Sequence, residues 1–135
     1  MDLLSFVTDN VTELLVKVME FTEARQKVLI RNIRCVDEAD FVPQDVPMEE
    51  FCVLMDTAIA EHAENRRLVL AGSEHIRFDG RNGFEVYSVA DAVAQSLRKS
   101  DREAYLKDQV AKLVENSLHQ RIAAQLLRQT DCAAV

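Results

Sequence analysis

The residues that most often break a helix all lie in the middle of this chain, at Pro43, Pro47, Gly72, Gly80 and Gly83. Residues 1–42 and 84–135 have neither glycine nor proline, and each stretch carries apolar residues at three- and four-residue steps. This layout predicts a mainly α fold, with long N- and C-terminal helices packed antiparallel as a coiled-coil-like pair. A shorter middle helix and a small β-hairpin are expected between them. One domain is expected over 1–135: an N-terminal helix (1–36), a middle loop, helix and hairpin (37–99), and a C-terminal helix (100–135).

The first helical pattern opens at Asn10, which with Glu13 has the spacing of a capping box, each able to satisfy a backbone N–H left free at a helix start. Val11, Leu14, Leu15, Val18, Phe21, Val28, Leu29, Ile33 and Val36 follow, a run of about 27 residues or roughly 40 Å. A second box, Ser100 with Glu103, leads Leu106, Val110, Leu113, Val114, Leu118, Ile122, Leu126 and Leu127 to near Thr130. In heptads, Arg25 and Asn32 interrupt the first seam, and Ser117 and Gln120 interrupt the second, so an indefinitely propagating coiled coil is not expected. Both apolar faces are wider than a two-stranded zipper needs. Val18, Phe21, Val28 and Leu29 are therefore expected to bury against Leu106, Val110, Leu113 and Leu127.

Between them, an acidic loop runs from Asp37 to Asp45. Pro47, favoured in a first helical turn, then leads Met48-Glu49-Glu50-Phe51, and Phe51, Leu54, Met55, Ala58 and Ile59 make a third helical face ending near Asn65. Ile76-Arg77-Phe78 and Phe84 to Val89 alternate apolar with polar across Asp79 to Gly83, the pattern of a β-hairpin. Two strands alone are marginal, so the hairpin needs a helix or a neighbouring chain to lean on.

Net charge is −7, and the 16 basic residues are scattered or interleaved with acids, which argues against nucleic acid and against an anionic membrane surface. No apolar run approaches the roughly 20 residues that span a bilayer. The opening MDLLSFVTDN lacks a basic n-region and a small-residue cleavage site, so no cleaved signal peptide is expected.

Little in the sequence points to catalysis or metal binding. His62, His75 and His119 sit on three different elements, and Asp37, Glu38 and Asp40 lack calcium-loop spacing and its central glycine. No phosphate-binding loop or nucleophile elbow is present. A non-enzymatic protein without cofactor, metal or small-molecule substrate is the expectation. Cys35, Cys52 and Cys132 are far apart and odd in number, and are read as reduced and structural. Cys35 and Cys52 fall on apolar faces, where a thiol behaves as a small hydrophobe.

The segment Glu20-Phe21-Thr22-Glu23-Ala24-Arg25-Gln26-Lys27-Val28-Leu29-Ile30-Arg31-Asn32-Ile33, followed by Asp37, Phe41 and the pair Asp45-Val46, resembles the N-terminal signature of the flagellar basal-body rod proteins, closest to the FlgB type. Lys107-Asp108-Gln109-Val110-Ala111-Lys112-Leu113-Val114-Glu115-Asn116-Ser117-Leu118, with Ala123-Ala124-Gln125-Leu126-Leu127, resembles the C-terminal helix of the same family. The two matches stand in the family's order and cover about 55 to 60 residues. Glu38-Ala39-Asp40 stands where the family has Thr-Pro-Gly, which removes the residues that pre-set a tight turn and implies a reshaped loop. The family's Phe-x-x-Leu-Arg-x-Ala-Ile tail is also missing after Leu127.

The resemblance implies a structural subunit of the proximal rod of the bacterial flagellum, in the periplasmic part of the basal body. It implies export by the flagellar type III apparatus without a cleaved signal peptide, and terminal helices that pair as a coiled coil in the assembled rod, transmit torque there and are often poorly ordered in the free subunit. The partners it implies are other rod and basal-body proteins, the export apparatus and further copies of the chain. Val18, Phe21, Val28, Leu29, Asn32, Ile33, Leu106, Val110, Leu113, Asn116 and Leu127 are the expected packing and assembly residues. The alternative is a small cytoplasmic helical adaptor or chaperone-like protein that binds a partner helix in an apolar groove.

Overall fold

The computed structural model describes residues 3–79 and 83–134, with side chains over 9–78 and 83–130. In chain order the elements are α1 (Leu3–Arg34), β1 (Gln44–Asp45), α2 (Met48–Asn65), β2 (Ile76–Asp79), β3 (Gly83–Val86), β4 (Val89–Ala90), α3 (Ala92–Ser100) and α4 (Arg102–Ala134). The fold is mainly α, and the two long terminal helices pack against each other as expected. They run antiparallel, because Thr22 meets Asn116, Arg25 meets Glu115 and Asn32 meets Gln109.

The helix starts differ from expectation. α1 begins at Leu3, so Asn10 lies inside it, and its side-chain amide meets His62 Nδ1 of α2 at 3.0 Å instead of capping a helix. The C-terminal cap falls one residue later than Ser100. Asp101 Oδ1 accepts from the Ala104 amide, while Ser100 closes α3 and turns its hydroxyl back to Ser96 O. α3 itself was not expected. Its N-cap is Asp91, whose carboxylate accepts from the Ala94 amide, the arrangement that satisfies a free N–H at a helix start. α2 runs from Met48 as expected, with Glu49 and Glu50 in its first turn, and ends at Arg66 in the left-handed region, where the Arg66 amide bonds His62 O.

The expected hairpin is β2–β3, with Ile76 opposite Val86 and Phe78 opposite Phe84, but its second strand ends at Val86 and not at Val89; Gly80, Arg81 and Asn82 of its turn lie outside the described residues. A second antiparallel pair, β1 with β4, sets Gln44 opposite Ala90 and Asp45 opposite Val89.

The main core lies between α1, α2 and the hairpin. Phe21, Val46, Phe51, Met55 and Ile76 are buried there, with Val18, Val28, Phe78 and Phe84 packed around them. Phe21 and Phe51 stack with centroids 3.9 Å apart and planes 5° from parallel, and Phe84 meets Phe51 edge-on. The expectation that Val18, Phe21 and Val28 pack on the C-terminal helix is corrected accordingly: that apolar face of α1 covers α2 and the hairpin. A smaller core of Val36, Ala94 and Tyr105, with Leu97 and Leu106, ties α3 and the end of α1 to α4. Cys52 and Ile59, expected on the buried face of α2, are exposed, because its inward face is Phe51, Met55 and Ala58. Cys35 is half-buried and Cys132 lies outside the described side chains. Phe21 is only 2% exposed, so Phe21→Ala is expected to cost about 3–5 kcal/mol in urea unfolding, most of it from the cavity left beside Phe51.

Candidate assembly interface

With much of the apolar face of α1 used on α2 and the hairpin, the seam between α1 and α4 carries a row of buried polar side chains. Asn32 is at its centre. Its Nδ2 donates to Gln44 O at 2.7 Å and to Gln109 Oε1 at 2.8 Å, and its Oδ1 accepts from the Gln44 amide at 3.1 Å. Its backbone carbonyl accepts from the Tyr105 hydroxyl at 2.8 Å. One buried carboxamide thus joins α1, β1 and α4. Further along, the Asn116 amide donates to Thr22 O at 2.7 Å. Arg25, 4% exposed, reaches both oxygens of Asp45 at 3.1 and 3.2 Å and Glu115 at 3.4 Å. Among the described residues, no buried side-chain nitrogen or oxygen lacks a partner, the condition under which a polar seam holds instead of weakening the fold.

The loop between α1 and β1 is fastened from outside. Arg98 of α3 donates to the carbonyls of Val36, Glu38 and Phe41 at 3.0, 3.1 and 2.6 Å. Arg102 pairs with Asp37 through both guanidinium donors, and that pairing holds the Asp37 carboxyl below its usual range. These donors do the work that a Pro-Gly turn would do by backbone preference. At the other end of the middle region, Lys112 of α4 reaches the Asp91 cap at 3.2 Å. Burial pushes the Asp91 carboxyl up, but the Ala94 amide and the Lys112 ammonium outweigh it and leave its pKa lowered.

Glu50 on α2 clasps the segment leading into the hairpin. Oε1 accepts from the Ser73 hydroxyl at 2.6 Å and the His75 amide at 3.0 Å, and Oε2 lies 2.6 Å from His75 Nδ1. A serine, a carboxylate and a histidine stand together here, but the carboxylate sits between the other two. The serine hydroxyl points at the acid, the opposite of the order that activates a nucleophile. The Ser73 hydroxyl, then the His75 ring, hold Glu50 down to about 2 from its ordinary 4.5. The carboxylate in turn raises His75 above its ordinary 6.5.

The eleven expected packing residues divide three ways. Phe21, Leu29, Asn32 and Asn116 are buried, and Val18, Val28, Ile33, Leu106, Leu113 and Leu127 are half-buried. Val110 is exposed, a correction to its expected place in the seam. It begins a row on the outer face of α4: Val110, Val114, Leu118, Ile122 and Leu126, four residues apart and all exposed, Val114 at 65% and Leu118 at 55%. Side chains at that spacing form one of the ridges through which helices interdigitate. The apolar pattern of α4 is therefore visible in the sequence, but five of its eight residues point to solvent. Arg25, Thr22, Arg98, Tyr105 and Gln109 were not expected to carry the seam and loop. Only the polar breaks at Arg25 and Asn32 in an apolar repeat signalled them.

Among the described residues, no three His, Cys, Asp or Glu side chains come together in a metal-binding cluster, and no helix is long and apolar enough to cross a membrane. No family model, curated protein or solved structure matches the chain.

Two expectations follow. Asn32→Ala leaves the Gln44 amide and carbonyl and the Gln109 carboxamide without their partner, so denaturant unfolding should show a loss of about 2 kcal/mol or more. Asn32→Asp, of nearly equal size, should not rescue it, because an acceptor would then face the Gln44 carbonyl. The second concerns pH. The Glu50 contribution to stability is present above its ordinary 4.5 and is lost as pH falls toward 2, while that of His75 is present below its ordinary 6.5 and is lost as pH rises through its raised folded value. The gap in melting temperature between the natural chain and Glu50→Gln should be widest between those two values and should narrow on either side in a thermal series from roughly pH 3 to 9.

Proposed function

We propose that this chain is a structural subunit of the proximal rod of the bacterial flagellar basal body, assembling through its terminal helices so that the rod transmits torque. The reading joins the resemblance at both ends of the chain to one observation. α4 is held to α1 by a polar seam while its apolar ridge, Val110 to Leu126, lies open to solvent. A ridge of that size on a small chain calls for a partner. Burying each of its side chains stabilises an assembly by an amount on the order of 1 kcal/mol or more. Asn32 and Asn116, two of the residues that carry the resemblance, are the buried amides that hold the helix pair in register.

In this role, export proceeds through the flagellar type III apparatus, the partners are other rod and basal-body proteins and further copies of the chain, and no enzymatic step or small molecule is involved. A groove-binding adaptor fits less well. Its apolar surface would be a channel between elements, whereas this one is an outward row on a single helix with α1 behind it.

The test is Leu118→Glu with Ile122→Glu in the host bacterium. The variant should keep the helical circular dichroism of the natural protein, fail to enter purified basal bodies and abolish swimming. Normal basal bodies and normal swimming in a strain deleted for the chain would refute the proposal.

A further inference from the structure

α4 and α2 present opposite charge around exposed apolar residues. From Asn116 to Thr130, α4 contains no acidic residue, and Arg121, Arg128 and His119 flank the exposed Leu118, Ile122 and Leu126. α2 contains no lysine or arginine, and its solvent side carries Glu49, Asp56 and Glu64 around Val53, Ile59 and Cys52. At about 100° per residue, Val53 and Ile59 stand about 60° to either side of Asp56, so the acid lies in the middle of the apolar strip. The two faces also match in length. Glu49 to Glu64 and Val114 to Arg128 each span a little over 20 Å at about 1.5 Å per residue.

We propose that the α4 ridge of one copy is covered by the outer face of α2 of the next copy, an inference that rests on reading the ridge as an assembly surface. Apolar side chains then supply the burial, and Arg121 and Arg128 against Asp56 and Glu64 fix which helix is chosen and in which direction. A ridge-on-ridge pairing does this less well, because the segment 116–130 has no acid and Glu115, the acid within the ridge, is already bonded to Arg25. The two faces are different surfaces of one molecule, so each added copy leaves an α2 face free at one end and an α4 ridge free at the other. Such a contact propagates into an open assembly instead of closing as a pair.

Cys52 gives a native probe on the α2 face, and Gln125 is an exposed position beside the ridge. The full chain carrying Cys35→Ala, Cys132→Ser and Gln125→Cys, treated with a short bis-maleimide, should give a ladder of dimer, trimer and higher species. Cys52→Ser should abolish the ladder. Arg121→Glu with Arg128→Glu should lower the association constant about tenfold in sedimentation, as expected for two exposed ion pairs turned repulsive, and adding Asp56→Lys with Glu64→Lys should restore it. A cross-linked dimer that survives Cys52→Ser would overturn the α2 assignment while leaving the ridge as an assembly surface. Cross-linking confined to mixtures with another rod protein would overturn it in favour of that partner. A chain that stays monomeric by sedimentation at every concentration, yields no cross-link and never enters a rod would overturn both this inference and the functional reading.

Discussion

The placement of the two long helices depends on one carboxamide. Asn32 uses both N–H groups and its oxygen on partners from β1 and α4, and its own backbone carbonyl takes the Tyr105 hydroxyl. A buried amide with both N–H groups and its oxygen engaged tolerates no sliding. Moving α4 by one turn relative to α1 would strand several groups at once, each at a desolvation cost of about 1–3 kcal/mol. Asn116 on Thr22 O repeats the device further along, and Arg25 bridging Asp45 and Glu115 ties the same seam to the strand beside it. Apolar seams can shift register with little loss; this one is pinned.

A pinned polar seam frees apolar surface elsewhere. α1 spends its hydrophobic face on the Phe21–Phe51 stack and the hairpin, which gives the middle region a core of its own. α4 takes part in the seam through Tyr105, Gln109 and Asn116, all buried, and leaves Val110, Val114, Leu118, Ile122 and Leu126 outside. A helix that meets one neighbour through amides and can meet another through valine, leucine and isoleucine has two separable specificities, one within the chain and one between chains.

Much of this architecture was legible from periodicity. The long helices, α2 and the β2–β3 hairpin all follow from repeats near 3.6 or 2 residues, and the last residue of the first repeat, Val36, lies two residues past the end of α1 at Arg34. The parts that were missed have physical reasons. α3 is nine residues long and one of its few apolar side chains, Val93, faces solvent, so its amphipathic pattern is too short to stand out in the sequence. β1 and β4 are two residues each, too short for any alternation. Amphipathicity reports that a face is apolar but not what covers it, so matching the faces of α1 and α4 to each other was the natural expectation, and Val110 was placed in a seam it does not enter. Arg25 and Asn32 were visible as interruptions. Their role depended on partners at Asp45, Gln44, Gln109 and Glu115, which no local pattern connects to them.

The central claim is that the α1–α4 seam is already formed in the free chain, so that the ridge is oriented before any partner arrives. Amide hydrogen exchange on dilute, intact protein tests this most directly. The slowest helical amides should lie around Thr22 to Asn32 and Tyr105 to Asn116, where the seam contacts sit, with exchange quickening toward Leu3 and toward Ala134. Exchange at unprotected rates in both of those segments, with α2 and the hairpin still protected, would contradict the account and mean that the long helices form only on assembly.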